Sequence, residues 1–464
     1  MKIPQALIDS LQNVKGFDEK AFEKVHQSSE QNTSIRLNRA KLSESQFASF
    51  IANGFEQINL TPVPWNASGY YLSSRPSFTT DPLFHGGAYY VQEASSMFLE
   101  EAIRQSTDLL QPLKVLDLCA APGGKSTLIQ SLISDRSLLV SNEVIKTRVT
   151  ILAENISKWG AVNVIVTNND PKDFQRLPNY FDLIVVDAPC SGSGLFRKDT
   201  KAIEEWSEQN VELCSQRQQR ILADILPSLK DGGVLIYSTC SYSTKEDEAI
   251  CDWLVKDQQL STIQFQLKAE WHIVETSSPE SNAFGDRFYP DQLKGEGFFI
   301  AGFKKLESEG ATAYESKSKG KSERLSPKEI EVVKPWLKNG DDFFFIKQHE
   351  EVIAIPMHLE RYLADIQWTL YIKKAGVKLG TIIRNELIPD HELAISTIIN
   401  TDIPVFEVDK ETALNYLRRN ELKLETEIKG WALITYELLP LGWVKVLPNR
   451  VNNYYPREWR ILNK

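Results

Sequence analysis

The stretch that decides the fold is residues 114–126, KVLDLCAAPGGKS. Its apolar first half is typical of a buried strand, and its small residues and adjacent glycines predict a loop that leads into a helix. The free N–H groups at such a helix start can bind a ligand. The loop matches neither the G-x-x-x-x-G-K-[ST] nor the G-x-G-x-x-G pattern, so the sequence favours a nucleoside cofactor without a pyrophosphate.

Further apolar runs, each followed by a helical stretch or a turn, surround this loop. The runs that we predict to be strands are 114–118, 138–141, 162–167, 181–186 and 233–238, with a late strand at 297–303. This spacing predicts βαβ units and a parallel sheet with helices on both faces. In such a sheet, ligands bind beyond the carboxyl ends of the strands.

The predicted strand ends carry acids and two cysteines. Glu143 lies 26 residues after Asp117 and is placed to accept hydrogen bonds from ribose hydroxyls. Asp170, after the third strand, is placed to hold an adenine amino group. The segments DAPC (187–190) and STC (238–240) end the next two strands. Taken singly, each is also compatible with a helix cap or a buried thiol, but two thiols and an acid at one sheet edge indicate catalysis.

Composition limits the class of protein. The chain has 464 residues, enough for two to four folding units, and its 42% hydrophobic and 25% charged residues are typical of globular proteins. The five cysteines form no Cys-x-x-Cys pair, which argues against a disulfide framework and a thiolate zinc site. No apolar run is long enough to span a bilayer and no signal-peptide core is present, so we expect a cytoplasmic protein without a membrane partner. The histidines show no metal-ligand spacing, and we expect no metal.

The net charge and the local distribution of charge give opposing indications about binding to nucleic acid. The net charge of −9 argues against an RNA partner, although a locally basic surface can coexist with an acidic total. Cations and aromatic rings alternate in residues 441–464, a pattern typical of stacking on bases and of phosphate contacts. They are Trp443, Lys445, Arg450, Tyr454, Tyr455, Arg457, Trp459, Arg460 and Lys464. A second basic stretch contains Lys373, Lys374, Lys378 and Arg384. The alternative is a solvated face over core aromatic residues.

Five segments together resemble one family, the Sun/RsmF family of RNA cytosine-5 methyltransferases. They are YVQEASSM (90–97), DLCAAPGGKS (117–126), DAPCSGSG (187–194), YSTCS (237–241) and GEGFF (295–299). They extend over residues 85–305 in the family's order, and their combination is highly specific. The segment 36–38 resembles the family's N-terminal domain, and the C-terminal extension resembles the RsmF branch, whose members modify 16S rRNA.

The resemblance implies an α/β fold with a Rossmann-like S-adenosylmethionine methyltransferase core. Residues 1–84 would form a small N-terminal α/β RNA-binding domain, and residues 85–305 the methyltransferase domain. Residues 306–325 would form a linker, residues 326–400 a β-rich module and residues 401–464 a PUA-like RNA-binding domain. The implied partner is 16S rRNA or the small ribosomal subunit. No residue pattern requires a dimer, so we expect a monomer.

The resemblance also assigns roles to residues. The cofactor would be held by Cys119, Ala120, Ala121, Pro122, Gly123, Gly124, Lys125, Glu143, Asp170 and Asp187. Cys240 would attack the cytosine, Cys190 would assist product release, and Asp187 would lie between cofactor and base. Lys125 is expected to contact the carbonyl oxygen of the base. Relatives often carry Pro-His before the GEGFF segment, whereas this chain has Pro290-Asp291-Gln292, so no role for a histidine is predicted there.

Three alternatives stay open at this point. In a DNA cytosine-5 methyltransferase the nucleophile follows a Pro-Pro-Cys motif, which would make Cys190 the attacking thiol. An exocyclic adenine methyltransferase would favour Asn/Asp-Pro-Pro-Tyr/Phe at residues 187–190, and Ala188 and Cys190 argue against it. A catalytically inactive RNA-binding assembly factor would bind the cofactor without turnover.

Overall fold

The computed structural model describes residues 3–28, 30–53, 58–307, 314, 322–422 and 426–462. Most of the predicted linker at 306–325, and the predicted RNA contact Lys464, lie outside the described residues. No described helix is long and apolar enough to cross a membrane. The described elements form four sheets, of which the largest carries the cysteines and acids singled out above.

The N-terminal region is a four-stranded antiparallel sheet in the order β2-β3-β1-β4 with four helices. The strands are β1 (Thr33–Leu37), β2 (Leu60–Pro62), β3 (Gly69–Leu72) and β4 (Tyr89–Val91). The helices are α1 (Gln5–Leu11), α2 (Glu19–Gln27), α3 (Glu44–Asn53) and α4 (Pro82–Gly86). A capping box opens α3, because the backbone N–H of Ser43 donates to Gln46 Oε1 at 2.9 Å and that of Gln46 donates to Ser43 Oγ at 3.2 Å.

The central sheet has ten strands in the order β11-β12-β13-β9-β8-β5-β6-β7-β17, with β10 paired to β13. Its strands from this region are β5 (Lys114–Asp117), β6 (Leu138–Asn142), β7 (Val164–Thr167), β8 (Phe181–Asp187), β9 (Leu229–Thr239), β10 (Leu260–Ile263), β11 (Val274–Ser277), β12 (Phe284–Phe288) and β13 (Phe298–Lys305). Strands β5 to β9 pair in parallel, as predicted, while β13 runs antiparallel to β9. All six predicted strands are therefore confirmed.

Helices cover both faces of the central sheet. They are α5 (Leu99–Ser106), α6 (Gly124–Leu132), α7 (Lys146–Trp159), α9 (Glu208–Ile225) and α10 (Glu248–Lys256), whereas α8 (Thr200–Glu205) packs against the apolar cluster of the N-terminal helices. One apolar cluster includes Leu222 of α9 and Leu254 of α10, and another includes Leu128 of α6 and Leu152 of α7. Burial on both faces explains why these strands are near-continuous apolar runs in the sequence.

The C-terminal region contains two smaller sheets, ordered β14-β15-β16-β18-β19 and β20-β21-β22-β23. The strands are β14 (Glu323–Arg324), β15 (Phe343–Gln348), β16 (Glu351–Pro356), β17 (Ile372–Ala375), β18 (Val377–Ile383), β19 (Glu386–Pro389), β20 (Val405–Glu407), β21 (Gly430–Tyr436), β22 (Leu439–Leu447) and β23 (Arg450–Asn453). The helices are α11 (Pro327–Val333), α12 (Glu360–Thr369), α13 (His391–Ala394) and α14 (Lys410–Leu417).

Strand β17 leaves the C-terminal sheets and joins the central one. It pairs antiparallel with β7, so that Ile372 lies opposite Thr167. The sequence analysis placed this segment in a separate β-rich module at residues 326–400. In the structure, Gly376 separates β17 from β18, and the two strands belong to different sheets. The pairing covers the edge of β7, whose backbone groups would otherwise be open to pairing with another chain.

Candidate active site

Two thiols meet at the carboxyl edge of the central sheet. Cys190 follows β8 and Cys240 follows β9, and because these strands are parallel neighbours their loops leave the sheet side by side. The two Sγ atoms are 3.1 Å apart and both side chains are partly exposed. The hydrogen bond to Cys240, together with burial, raises the pKa of the Cys190 thiol well above its ordinary value. The structure therefore brings together the two cysteines predicted to act.

Asp187 and Lys125 form an ion pair beside the thiols. Lys125 Nζ lies 2.7 Å from Asp187 Oδ2, and Ser238 Oγ donates to Asp187 Oδ1 at 2.9 Å. The Lys125 ammonium also lies 5.2 Å from the centre of the Phe298 ring. About a third of the Asp187 side chain is exposed, at 35%, so the carboxylate can reach a ligand. The pair presents an acceptor and a donor at the same edge as the thiols.

The loop between β5 and α6 leads directly into a helix, as its sequence predicts. Gly123 precedes α6 with a φ of +119°, a conformation that side-chain-bearing residues rarely adopt. A Cβ atom on Gly124 would lie 3.3 Å from the Tyr90 ring. The Ala121–Pro122 peptide bond is cis. Burial raises the pKa of the Cys119 thiol, which lies in this loop.

Asp117, at the end of β5, has one carboxylate oxygen without a partner. Ser126 Oγ donates to Oδ2 at 2.6 Å, whereas Oδ1 is buried and has no hydrogen-bond partner among the described residues. Burial raises the pKa of Asp117 to about 7. A buried acceptor without a donor is costly unless a ligand supplies one.

The other two predicted cofactor acids lie at neighbouring strand ends. Glu143, after β6, is buried, accepts from the backbone N–H of Ile145 at 2.9 Å and lies 3.4 Å from Arg148. Asp170, after β7, is exposed and accepts from the N–H of Lys172 at 3.1 Å, so it also caps the turn that follows. The strand order β7-β6-β5-β8-β9 therefore aligns these acids, the glycine loop and the thiols along one edge.

Two buried charged residues were not predicted by the sequence reasoning. Arg36 of β1 is 1% exposed and donates to Thr127 Oγ1 at 2.6 Å and to the Gly124 carbonyl at 3.3 Å, and it thereby fixes the start of α6 to the N-terminal sheet. Glu246 lies beneath the two cysteine loops. It belongs to the acidic run 246–248 at the start of α10, and such a run is ordinarily interpreted as stabilising a helix N-terminus.

The predicted RNA-contacting aromatic residues are only partly correct. Trp443 and Tyr455 are fully buried, at 0% exposure, and Trp459 is half-buried, so of the four rings only Tyr454 is well exposed. Trp443 lies on β22, where both faces of the strand are buried, and donates from Nε1 to the Asp390 carbonyl at 2.8 Å. Its aromatic character serves the core, because Trp336 packs edge-on against it at 5.5 Å. Arg450, Arg457 and Arg460 are exposed.

The cations of the second basic stretch are also less available for RNA binding than predicted. Lys374 pairs with Glu392, and Lys378 lies 2.8 Å from Glu351 and 2.9 Å from Asp390. Neighbouring acids thus compensate two of its cations, while Lys373 and Arg384 are exposed.

The parallel sheet, the glycine loop before α6 and the aligned acids define an α/β methyltransferase of the S-adenosylmethionine-dependent class. Residues 108–304 match the family described as 16S rRNA methyltransferase RsmB/F. Residues 3–94 match the N-terminal domain of 16S rRNA methyltransferase RsmF, and residues 403–461 match the methyltransferase RsmF PUA domain.

Full-length relatives and solved structures agree with these matches. The chain is 31% identical to ribosomal RNA small subunit methyltransferase F of Aeromonas salmonicida, over 92% of this chain and 90% of the relative. It is 28% identical to that of Erwinia tasmaniensis, over 98% and 96%. A methyltransferase homolog protein from Pyrococcus horikoshii superposes with a TM-score of 0.53 at 26% identity, covering 66% of this chain and all of that one. The chain therefore belongs to the ribosomal RNA small subunit methyltransferase F family.

Proposed function

We propose that this protein transfers a methyl group from S-adenosylmethionine to carbon 5 of a cytidine in 16S rRNA, through a covalent adduct between Cys240 and carbon 6 of the base. The observation that carries the proposal is the 3.1 Å separation of the Cys190 and Cys240 thiols. Methylation at an exocyclic nitrogen or a ribose oxygen needs no thiol, whereas methylation at carbon 5 needs one to attack and a base to resolve the adduct.

The residues at the sheet edge fit the cofactor. The free backbone N–H groups at the start of α6 would face the methionine part, and the buried Asp117 Oδ1, which has no partner among the described residues, suits its ammonium group. Glu143 would bind the ribose hydroxyls, and Asp170 the adenine amino group. The cofactor supplies an electrophilic methyl group on a sulfonium. Residues 119–125 and Asp187 would position it towards the target base.

The thiolate of Cys240 begins the reaction. Carbon 5 of cytosine is a poor nucleophile while the ring is aromatic, and addition of the thiolate to carbon 6 breaks the aromaticity. A new S–C6 bond forms, and carbon 5 gains enamine character. Carbon 5 then attacks the methyl carbon, and the electron pair of the broken bond between the methyl group and the sulfonium would stay on the sulfur, which leaves as a neutral thioether. Asp187, sharing a proton with ring nitrogen 3, stabilises the charge that develops during addition, and Lys125 donates to the base carbonyl oxygen.

Cys190 completes the reaction. Its thiolate, or a water molecule that it orients, removes the hydrogen from carbon 5. The electron pair of that C–H bond restores the C5–C6 double bond, and the S–C6 bond breaks with return of the pair to Cys240. The target must be extruded from any duplex, at a cost of roughly a few kcal/mol. The exposed Tyr454, Arg450, Arg457 and Arg460 are proposed to hold the surrounding RNA.

The experiment traps the adduct. Purified Cys190→Ala protein, S-adenosylmethionine and 16S rRNA, free or in small subunits, are separated on a denaturing gel beside wild type and a Cys190→Ala/Cys240→Ala variant. We expect a shifted, nuclease-sensitive band only when Cys240 is present and Cys190 is absent. A band that requires Cys190 instead would reverse the two roles. Methyl transfer without any band would exclude the covalent route, and binding of the cofactor without any transfer would favour an assembly factor.

A further inference from the structure

A single buried carboxylate links the two cysteine loops. Glu246 is 0% exposed. Its Oε1 accepts the backbone N–H of Ser191 at 2.7 Å, and its Oε2 accepts the hydroxyls of Ser191 at 2.5 Å and Ser241 at 2.6 Å. Gln218 of α9 donates to Oε1 at 3.3 Å and also to the Pro189 carbonyl at 3.1 Å. Ser191 directly follows Cys190 and Ser241 directly follows Cys240, so this carboxylate holds the residue next to each thiol.

These contacts are not those of an ordinary helix cap. Glu246 lies two residues before α10, yet the hydrogen bonds that the structure gives its carboxylate come from the two loops and from α9. Burying a carboxylate costs free energy that only specific donors offset. All of those donors serve the cysteine loops here, which indicates a function at the thiols rather than in the folding of α10.

Other contacts hold the far side of the same loops. The N–H of Gly194 donates to the Cys240 carbonyl at 2.8 Å, and the N–H of Tyr242 donates to Ser193 Oγ at 2.9 Å. These bonds keep the loops adjacent in the absence of Glu246. They do not hold the residue beside Cys190, where Glu246 accepts both the N–H and the hydroxyl of Ser191.

We propose that Glu246 is a positioning residue that holds the Cys190 thiol beside Cys240, so that the methylated adduct is resolved. The proposal rests on the proposed roles of the two cysteines. Without Glu246, Cys240 can still attack, because the loop after β9 keeps its sheet register and its bond to Gly194. Removal of the carbon 5 hydrogen then slows, and the adduct accumulates.

The negative charge of Glu246 also affects the pKa of Cys190, and this effect can be tested separately from the positioning of the thiol. It adds to the hydrogen bond with Cys240 and to burial in raising the pKa of Cys190. Glu246→Gln removes this charge but keeps a carbonyl oxygen for the Ser191 N–H, and its amide can donate to the serine hydroxyls. We expect this variant to keep most of the turnover and to shift the rise of adduct release to lower pH.

The test measures both the initial rate of methyl transfer and the fraction of enzyme in a covalent RNA adduct. Glu246→Ala is expected to lower turnover by about 10²-fold, as a displaced reacting group does, while the adduct fraction rises towards that of Cys190→Ala. Asp252→Ala is the matched control. Asp252 is a buried acid of α10 that accepts from the N–H and hydroxyl of Ser281 at 2.7 Å each. We expect no adduct accumulation in that variant.

The outcomes separate the two proposals. If Cys190→Ala forms no Cys240-dependent adduct, the proposed function fails and the role of Glu246 fails with it. If Cys190→Ala accumulates the adduct but Glu246→Ala stays at the wild-type fraction, only the role of Glu246 is overturned. Should Glu246→Ala not fold, Ser191→Ala removes the 2.5 Å hydrogen bond between Glu246 and the residue beside Cys190 with little loss of volume. An adduct fraction that is unchanged from wild type in that variant would also overturn the inference.

Discussion

The carboxyl edge of the central sheet and the C-terminal sheet β20–β23 present their polar side chains in different ways. At the central sheet, the reactive groups lie just beyond the strands, so that Cys190 and Cys240 meet because β8 and β9 are parallel neighbours. In the C-terminal sheet, the aromatic residues lie within a strand or just after one, and β22 is buried on both faces around Trp443. Topology therefore determines the first site, whereas packing against the rest of the C-terminal region determines which rings of the second stay exposed.

The largest effect that we predict distinguishes core from surface in the C-terminal sheet. Trp443→Ala should lower the free energy of unfolding by about 3–5 kcal/mol, because it removes a fully buried ring that packs on Trp336. Tyr454→Ala, at a residue 39% exposed, should change stability little and weaken RNA binding by about 1–3 kcal/mol if a base stacks there. Chemical denaturation and RNA titration measure the two quantities.

The opposite result would support the prediction from sequence that the aromatic rings of residues 441–464 stack on RNA bases. If Trp443→Ala kept full stability and lost RNA binding, Trp443 would be a base-stacking residue as its sequence pattern suggested. Lys445→Gln tests the contribution of positive charge to RNA binding. It removes the Lys445 ammonium, which lies on the same sheet at 5.0 Å from the Trp431 ring. This variant should reduce the salt dependence of RNA binding and leave stability nearly unchanged.

The second prediction concerns the edge of the central sheet. Asp187→Asn should lower methyl transfer by about 10²–10³-fold, as expected when a group that stabilises developing charge is lost. Ser238→Ala removes only the 2.9 Å hydrogen bond to Asp187 and should cost about 1 kcal/mol in the barrier. Steady-state rates and cofactor titration should be measured for both variants. If Asp187→Asn lost cofactor affinity as strongly as it lost rate, Asp187 would act in cofactor binding alone.

The contrast between the two regions explains how far the sequence could predict the structure. Alternating apolar runs predicted β5 to β9, and the rule for parallel sheets then placed Asp187, Cys190 and Cys240 at one edge. No comparable rule exists for residues 441–464, because rings and cations alternate there whether the rings face the core or the solvent. Residues 441–444 of β22 are buried on both faces of the sheet, so alternation along the strand could not mark Trp443 as a core residue.

Local sequence patterns could not predict the residues that act through contacts with distant parts of the chain. Glu246 contacts Ser191 from 55 positions away, and Arg36 contacts Thr127 from 91 positions away. The sequence next to Glu246 or Arg36 gives no indication of the distant residue that each one contacts. Strand β17 shows the same difficulty, because its pairing with β7 joins residues about 200 positions apart and depends on an edge that only the assembled sheet creates.

The smallest predicted effect uses a buried histidine of the C-terminal region. His391 packs edge-on against Tyr455 at 5.1 Å and Trp459 at 4.9 Å, and neither ring nitrogen has a hydrogen-bond partner among the described residues. Burial, followed by the positive charges of Lys41 and Lys158, lowers its pKa from 6.5 to about 3. The folded protein therefore keeps this ring neutral at a pH where the unfolded chain protonates it.

The difference in proton binding between the folded and unfolded states determines whether acid raises or lowers the stability. Below pH 6.5 the unfolded state binds more protons than the folded state, so stability falls as the pH drops towards 3, with a slope of about 1 kcal/mol per pH unit from this residue. His391→Phe keeps an aromatic ring against Tyr455 and Trp459 and removes the titration, so its stability should depend less on pH between 6.5 and 4. The exposed His349, changed to Asn, is the control for removing a histidine from the protein surface. Urea unfolding at pH 7 and pH 5 measures the difference. Parallel losses in wild type and His391→Phe would show that acid weakens the fold elsewhere, for example at His26, whose pKa burial lowers to about 4.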